Sequence, residues 1–309
     1  MTIRIGIISN SDTFIPLAYT LAAQQLQVYL FYSPSPDDFI NQKVHGFAKQ
    51  CPIPLEEEKN SAKDLYRWLL AGKYDACFII GYKYLIRLEK LSGCVTPLFN
   101  VHFGPLPAFR GSVPIFWQLK QGVEKLGLAI HRLSPKFDDG PVVWAKETYN
   151  LPHYNYQLVN LLFSQLCVEG VFFVLSCMMS KMPLPEIKQT SSVAAYQKKP
   201  GLNDVLVNWQ QMEATEICNL VRACNPWNKG AVSIFKGQEV KLMDATIVNS
   251  IEKVSATEAA GKIVNIGEFL HIQCKDDKIL NVNMLFFQDS FIPAYQCKHL
   301  GLVKGQKLG

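Results

Sequence analysis

Two polar side chains, Asn100 and His102, interrupt an apolar run that ends at residue 103. Side chains two apart in a β-strand point to the same face of a sheet, so this pair would act on one point in space. An Asn amide donates hydrogen bonds to an oxyanion, and an imidazole takes or relays the proton of an attacking amine. The pair could therefore serve acyl transfer to an amine, and a third group would be needed to hold the imidazole.

The turn "FDDGP", which holds Asp138 and Asp139, offers that third group. Either carboxylate would orient the imidazole or complete a proton path. A structural explanation also stands, in which Asn100 caps the strand end and His102 is a structural histidine. In that explanation the Asp side chains only make the local hydrogen bonds of a turn. Spacing alone leaves both explanations open.

The elements that must position these residues alternate between strand and helix. Short aliphatic runs bounded by polar residues are typical of parallel strands covered on both faces. The alternation predicts an α/β fold with a doubly wound, mostly parallel sheet, and the glycine pattern of dinucleotide-binding folds is absent after the first strand. The predicted strands are 3–9, 27–33, 74–82, 97–103, 126–133 and 141–149, and the predicted helices are 13–26, 61–73, 114–122 and 156–179.

A stretch rich in Pro, Ser and Lys separates the sequence into two parts. Beyond it, a helix over 214–226 is followed by short strands of alternating pattern, which predicts a small open β-barrel. The predicted domains are a catalytic domain over 1–182, a linker over 183–204 and an OB-like domain over 205–309.

Composition disfavours several classes of protein. Apolar residues make up 49% of the 309 residues and charged residues 18%, which is typical of a folded globular chain. The formal charge of +5 lies in residues 1–199, and it is too small and dispersed for a polybasic nucleic-acid surface. Nine scattered cysteines without a CxxC pair disfavour disulfide and zinc frameworks. Together with the lack of a signal peptide, they favour a cytoplasmic protein.

The apolar stretch 156–179 is long enough to cross a bilayer. Asn160, Gln165, Glu169 and Gly170 interrupt it, and a Glu in the middle of a bilayer is costly. A buried helix, or one that contacts a second subunit in a homodimer, is therefore favoured over a membrane span.

The wording "FNVHFGPLPAFRG", followed by "FDDGPVV", resembles the folate-dependent formyltransferase family. The signature of that family is Asn-x-His at a strand end, a Leu-Pro and Arg-Gly loop, and an Asp-x-Gly-Pro turn. The resemblance implies a Rossmann-like catalytic domain followed by an OB-like domain. Further matches extend it over nearly the whole chain: "VNW" (207–209), "VRACNPWNKG" (221–230) and "LGLVKGQKL" (300–308).

Carried over residue by residue, the resemblance assigns a catalytic trio to Asn100, His102 and Asp138, while Asp139 falls at a variable position. It implies formyl transfer from 10-formyltetrahydrofolate, as cosubstrate, to a primary amine, with no metal ion. Asn100 and His102 would stabilise the oxyanion. Asp138 would orient His102 and help to move the proton to the leaving nitrogen.

The resemblance also implies where the folate would bind. The family uses backbone groups after the third strand and around the Asp turn, here 81–86 and 134–138. The alternative for the first stretch is that it merely begins a helix. The predicted folate-binding residues are Tyr82, Lys83, Tyr84, Leu85, Ser134 and Phe137.

Positions at which this chain differs from the methionyl-tRNA formyltransferases predict its amine acceptor. Methionyl-tRNA formyltransferases carry a basic loop after the second strand, whereas residues 33–43 of this chain hold Asp37, Asp38 and only Lys43. Binding a phosphate backbone needs clustered Lys and Arg. A small amine, such as an amino-sugar nucleotide, is therefore favoured over tRNA, and several loops resemble those of UDP-amino-sugar formyltransferases.

Three residues are predicted to contact the acceptor, namely Phe103, Gly104 and Arg110. The first two stand where the tRNA enzymes have Pro-Ser, and Arg110 either holds a polar acceptor or fixes its loop through a salt bridge. Hydrolysis of formyltetrahydrofolate and a non-catalytic folate-binding module remain as alternatives. The hydrolase is disfavoured because that family carries an additional N-terminal domain, and the module because the trio is intact.

Overall fold

The computed structural model describes residues 3–61, 63–190, 194–248 and 260–309. Two compact units make up the chain. The first comprises Met1–Pro114, Gly127–Thr148 and Asn160–Gln197, and the second comprises Ile115–Leu126, Tyr149–Val159 and Lys198–Gly309. The domain boundaries drawn from the sequence stay a prediction, and residues 191–193 of the predicted linker lie outside the described residues.

A seven-stranded sheet contains the strands predicted in the first half of the chain. The spatial order of its strands is β3-β2-β1-β4-β5-β7-β8, and the two-residue strand β6 lies outside it. In chain order the strands are β1 (Arg4–Ser9), β2 (Gln27–Tyr32), β3 (Leu55–Glu57), β4 (Ala76–Ile80), β5 (Leu98–His102), β6 (Arg110–Gly111), β7 (Lys125–Arg132) and β8 (Val142–Tyr149).

Strands β1 to β5 pair in parallel, and β7 runs antiparallel to β5. The aliphatic runs of β1 and β4 are almost wholly buried, as expected for strands covered on both faces. The first five helices are α1 (Ile15–Ala23), α2 (Asp38–Gln50), α3 (Asp64–Gly72), α4 (Pro114–Lys120) and α5 (Tyr156–Met179). This arrangement confirms the predicted mostly parallel α/β fold.

Helix α2 is absent from the sequence-based prediction. The Asp37 carboxylate caps it by accepting the Phe39 N–H at 2.9 Å. Ile40, Val44 and Phe47 recur at helical spacing in α2, so the sequence does contain an apolar stripe, although only Val44 is fully buried.

Helix α5 is the described helix that is long and apolar enough to cross a membrane, with a mean hydropathy of 1.9 over its best window. Only 44% of that window is buried, so one face packs inside the protein and the other is exposed. Trp144 and Ile130 pack so closely on α5 at Gly170 that a Cβ there would lie 2.5 and 2.8 Å from them. The exposed face carries Leu158, Leu161, Phe173 and Met179.

The stretch predicted as a linker contains regular structure. Strand β9 (Tyr196–Gln197) pairs in parallel with β6 in the first unit. The short helix α6 (Leu202–Val205) belongs to the second unit.

An antiparallel sheet and the helix α7 (Ala214–Cys224) form most of the second unit. The strand order is β10-β11-β14-β13-β12, with β15 paired to β14, and this barrel-like but unclosed sheet confirms the predicted class. Backbone hydrogen bonds join Gly309 to Ile234 of the first edge strand and Gly305 to Ile263 of the last. The strands are β10 (Ala231–Phe235), β11 (Gln238–Val248), β12 (Ile263–Ile266), β13 (Leu270–Gln273), β14 (Ile279–Phe287) and β15 (Ser290–Pro293).

Candidate active site

Strand β5 ends in the two polar residues that were selected from the sequence. Asn100 is half-buried, whereas the His102 side chain is only 6% exposed. Both side chains approach the same carboxylate, that of Asp138, as their spacing of two residues predicts. The carboxyl end of a strand in a parallel sheet is the usual place for a ligand crevice. The structure thus brings the three predicted catalytic residues together.

The Asp138 carboxylate is the centre of the cluster and is 9% exposed. Its Oδ1 accepts a hydrogen bond from Asn100 Nδ2 at 3.1 Å and lies 3.6 Å from Nδ1 of His102. Its Oδ2 accepts the backbone N–H of Gly111 at 2.9 Å. Asp138 itself has a φ of 51°, a left-handed conformation that is uncommon for a residue other than glycine. The turn that carries Asp138 is therefore held in a special geometry.

His131 also belongs to this cluster, and the sequence analysis missed it. Antiparallel pairing of β7 with β5 places His131 directly opposite Asn100. Its Nδ1 donates to the Arg132 carbonyl at 2.8 Å, and its Nε2 lies 3.1 Å from Asn100 Nδ2 and 3.4 Å from Asp138 Oδ1. A histidine inside an apolar strand was the available signal, but only the register reveals its partners.

The hydrogen bonds of His102 define which ring nitrogen is free to exchange a proton. Its Nε2 lies 2.6 Å from the Phe109 carbonyl oxygen, which can only accept, so Nε2 carries a hydrogen. Nδ1 is left facing Asp138. Burial lowers the pKa of His102 below its ordinary 6.5, although Asp138 and the Phe109 carbonyl raise it. The buried ring therefore favours the neutral form, with an Nδ1 that can accept a proton.

Opposing effects set the pKa of Asp138. Burial raises it, but the neighbouring His102, the hydrogen bond with His131 and the N–H of Gly111 outweigh burial. The pKa falls from 3.8 to about 2. Asp138 is thus a permanent negative charge at neutral pH, positioned to stabilise a positive charge on His102.

Arg110, predicted to contact the acceptor, is only 5% exposed. Its Nη1 pairs with Asp139 Oδ1 at 2.6 Å, and its Nε and Nη2 donate to Gln189 Oε1 at 2.9 and 2.8 Å. The guanidinium is therefore engaged by the protein, and Asp139 has a partner of its own outside the cluster. Acceptor binding by Arg110 stays a prediction.

Phe103 and Gly104, the other predicted acceptor contacts, directly follow His102. The Phe103 ring packs edge-on against Phe163 of α5, with 5.6 Å between ring centroids. A Cβ at Gly104 would lie 2.8 Å from Pro114 Cβ and 3.0 Å from His102 Nε2. Gly104 thus allows the loop to fold closely over the histidine ring.

The predicted folate contacts fall in two places. Ser134 and Phe137 lie in the loop that carries Asp138, with the Phe137 side chain 48% exposed. Tyr82 lies after β4 and donates its hydroxyl to Glu58 Oε1 at 2.5 Å. Lys83, Tyr84 and Leu85 follow it, with the Lys83 ammonium 5.1 Å from the centroid of the Tyr84 ring. Ser134 and Phe137 therefore lie beside the trio. Residues 82–85 follow β4, which is the strand next to β5.

A cavity of about 290 Å³ lies near these segments. None of the six predicted folate contacts lines it, although Tyr82 packs against the apolar cluster that includes Leu91 and Leu98. Leucine and cysteine side chains make up most of the cavity lining, and Thr96 and Arg132 supply polar groups. The cavity is lined by Leu88, Leu91, Cys94, Thr96, Leu98, Arg132 and Leu133.

Each of the two parts of the chain matches the model of a known family. Residues 5–162 match the model of the formyl transferase family, and residues 202–290 match the model of the formyl transferase C-terminal domain. The chain belongs to the formyl transferase family. The family predicted from the sequence is therefore confirmed, and so is the prediction that the chain is a transferase enzyme.

Two curated relatives and one solved structure show how this family member compares. The chain is 26% identical over 275 residues to the bifunctional polymyxin resistance protein ArnA of Wigglesworthia glossinidia brevipalpis; the match covers 87% of this chain but only 40% of that protein. It is 30% identical over 232 residues to the methionyl-tRNA formyltransferase of Dechloromonas aromatica, covering 73% of this chain and 71% of the relative. The N-formyltransferase from Helicobacter canadensis superposes with a TM-score of 0.71 at 14% identity, covering 91% of this chain and 99% of that one, and so shows a shared fold.

Proposed function

We propose that this formyl transferase moves a formyl group from 10-formyltetrahydrofolate to a primary amine. The observation that carries the proposal is the buried cluster in which one Asp138 carboxylate contacts both Asn100 and His102. An amide donor, an imidazole and a carboxylate at one point supply an oxyanion donor, a proton acceptor and a counter-charge. These are the groups that acyl transfer to an amine requires.

The cavity lined by Leu91, Leu98 and Leu133 supports binding of the folate cosubstrate. Its leucine side chains would pack on the pterin ring. The Thr96 hydroxyl, which donates to the Tyr74 carbonyl, could accept from the ligand. Arg132, whose Nε pairs with Glu186, would offer its remaining N–H groups. The Helicobacter canadensis enzyme was solved in complex with folinic acid, a reduced folate. The predicted contacts Tyr82, Lys83, Tyr84, Leu85, Ser134 and Phe137 remain part of this proposal.

The chemistry would exchange one carbon–nitrogen bond for another. The amine nitrogen bonds to the formyl carbon, and the bond from that carbon to the folate nitrogen breaks. Asn100 donates to the formyl oxygen as negative charge develops there, once an N–H of its amide is released from its present partners. Nδ1 of His102 accepts the proton lost by the amine, and Asp138 stabilises the imidazolium. That proton then passes to the leaving nitrogen, so the enzyme returns to its starting state, and no metal ion takes part.

We infer that the acceptor is a small amine of the amino-sugar nucleotide kind. The segment after β2 begins helix α2 with two acidic residues, Asp37 and Asp38, and Lys43 forms an ion pair with Asp12 at 2.5 Å. A nucleic-acid phosphate would therefore meet acidic or already neutralised side chains there. The Helicobacter canadensis structure holds dTDP-3-aminofucose, which is an acceptor of the proposed class.

Methionyl-tRNA is the second candidate acceptor. The Dechloromonas aromatica relative, which is a methionyl-tRNA formyltransferase, matches 73% of this chain. A basic surface formed from residues far apart in sequence would be needed to bind it. The two candidates differ in the strong salt dependence expected only for tRNA.

An acceptor panel tests the proposal. Purified protein, 10-formyltetrahydrofolate and EDTA would be mixed with UDP- and dTDP-linked amino sugars or with methionyl-tRNA, and the folate absorbance followed. Turnover that requires an amino-sugar nucleotide is expected. Turnover only with methionyl-tRNA would overturn the acceptor assignment, and turnover without any amine would indicate a hydrolase. Folate binding without turnover would indicate a binding module.

A further inference from the structure

A segment of the first unit that is distant in sequence from Asp138 lies against the turn that carries this residue. We name residues 186–190 and 194–197 the strap. Near its start, Ile187 and Val142 of β8 exchange two backbone hydrogen bonds of 2.9 Å, and at its end β9 pairs with β6. The strap therefore connects the strand after the Asp138 turn with the loop after His102.

Gln189 is the residue of the strap that contacts this turn. Its Nε2 donates to the carbonyl oxygens of Asp138 at 2.9 Å and of Gly140 at 2.6 Å. Its Oε1 accepts two hydrogen bonds from Arg110, at 2.9 and 2.8 Å. One side-chain amide thus uses both of its N–H groups on the turn and its oxygen on the loop.

The turn needs such support because its backbone is unusual. Asp138 has a φ of 51°, a conformation that costs a residue with a Cβ about 1–2 kcal/mol. A Cβ at Gly140 would lie 1.8 Å from the Arg132 carbonyl oxygen, so the turn also packs without free space on β7. Strained residues persist only where the surroundings fix them. The hydrogen bonds from Gln189 to the carbonyls on both sides of Asp139 supply that restraint.

Arg110 strengthens the same restraint from the opposite side. Its guanidinium holds the Gln189 oxygen and the Asp139 carboxylate, so it anchors both the strap and the turn. The backbone N–H of the next residue, Gly111, donates to Asp138 Oδ2. Any shift of the turn would therefore have to break several contacts at once.

We propose that Gln189 is a positioning residue, whose side-chain amide fixes the Asp138 turn so that the carboxylate stays against Asn100 and His102. This inference rests on the proposed function, because it assigns a catalytic consequence to the placement of Asp138. It also extends the site into the segment that the sequence predicts to be a linker. Gln189 itself touches no reacting atom, so its effect passes through Asp138.

Two variants separate positioning from a purely structural role. Gln189→Met keeps the length of the side chain but removes all four hydrogen bonds. Gln189→Glu keeps the acceptor for Arg110 and replaces the N–H groups by an oxygen that repels the two carbonyls. Lys188→Met is the matched control, because Lys188 is an exposed neighbour in the strap.

Steady-state kinetics of the whole protein provide the first readout. Misplacement of a catalytic group by about 1 Å costs up to about 100-fold in rate. Both Gln189 variants are expected to lower kcat at least about tenfold, with less than about twofold change in either KM, while Lys188→Met matches the wild type. Unchanged kcat in a folded Gln189 variant, or an effect on KM alone, would overturn the inference.

Titration of His102 by NMR, in protein with isotope-labelled histidine, provides a readout without substrates. The charged and titratable groups that face the ring are Asp138 and His131, and Asp138 raises the pKa of His102. Withdrawal of Asp138 should therefore move the His102 titration to lower pH in Gln189→Met, which adds no charge of its own. An unmoved titration would contradict positioning even if the wild type proves to have no transferase activity, whereas a failed assay of the wild type would contradict only the proposed function.

Discussion

The imidazole of His102 and the carboxylate of Asp138 face each other across 3.6 Å, and both side chains are buried. Because Nε2 of the ring donates to the Phe109 carbonyl, only Nδ1 is available for a proton from a substrate. A proton on Nδ1 would lie between the ring and the carboxylate, where it completes a charge-assisted hydrogen bond. In the proposed reaction, the His102 ring would be neutral at the start and would gain a proton beside the Asp138 carboxylate.

The pH dependence of kcat/KM should reveal this pair. Burial lowers the pKa of His102, so the neutral base is lost only as the pH falls below 6.5. Asp138→Asn removes the charge that raises this pKa, and the acid limb should move to lower pH while the rate at neutral pH falls. Rates measured from about pH 5 to about pH 9 test this. If the acid limb of the pH profile stays in place or moves to higher pH in Asp138→Asn, that limb does not arise from titration of His102.

Asn100→Ala should lower kcat by about 100- to 1,000-fold, because it removes the donor to the developing oxyanion. Binding of tetrahydrofolate, followed by fluorescence, should change little, since the proposed ring cavity is lined by other residues. Asn203→Ala is the matched control, because it makes the same substitution at an exposed position of the short helix α6, and it should behave as wild type. Equal losses of rate and of folate affinity would assign Asn100 to binding instead.

Gly111→Ala should destabilise the protein by about 2–4 kcal/mol. Gly111 has a φ of 95°, and a Cβ there would lie 2.3 Å from the Gln197 carbonyl oxygen of β9. Gly237→Ala is the control, because Gly237 has a φ of 79° but no atom within 4 Å of the added carbon. Its cost should be only about 1 kcal/mol. Urea unfolding measures both values, and equal costs would mean that the contact with β9 contributes nothing.

Cys94→Phe tests whether the cavity binds the folate cosubstrate. The added ring would occupy space beside Leu91 and Leu98, so KM for 10-formyltetrahydrofolate should rise at least about tenfold. Cys51→Phe is the control, since Cys51 is likewise half-buried but follows α2 and does not line the cavity. A normal KM for the folate in folded Cys94→Phe would place the ring elsewhere.

Much of this site could be predicted because its residues are carried by a short local pattern. The aliphatic run before Asn100 identifies a buried strand, and the spacing to His102 places both side chains on one face. The family wording then selects Asp138 over Asp139, and the structure separates these two carboxylates in the same way: one contacts the pair on β5, the other contacts Arg110.

The remainder depends on contacts between distant parts of the chain. His131 meets Asn100 only through the antiparallel register of β7 and β5. Gln189 lies 51 residues from Asp138, in a stretch whose Pro and Ser content indicates a linker. Neither contact could be predicted from the pattern of neighbouring residues. Helix α2 was missed for a different reason: Ile40, Val44 and Phe47 have helical spacing, but the Pro, Ser and Asp residues just before them indicate a loop.

The fate of the formyl group tests the proposed transfer from folate to amine. Isotope-labelled 10-formyltetrahydrofolate would be incubated with an amino-sugar nucleotide and with wild type, Asp138→Asn or Asn203→Ala protein, and the label traced by mass spectrometry. Wild type and Asn203→Ala are expected to place the label on the amine nitrogen, and Asp138→Asn to do so at least about 100-fold more slowly. Label released as free formate, or equal transfer by Asp138→Asn, would contradict the proposed mechanism.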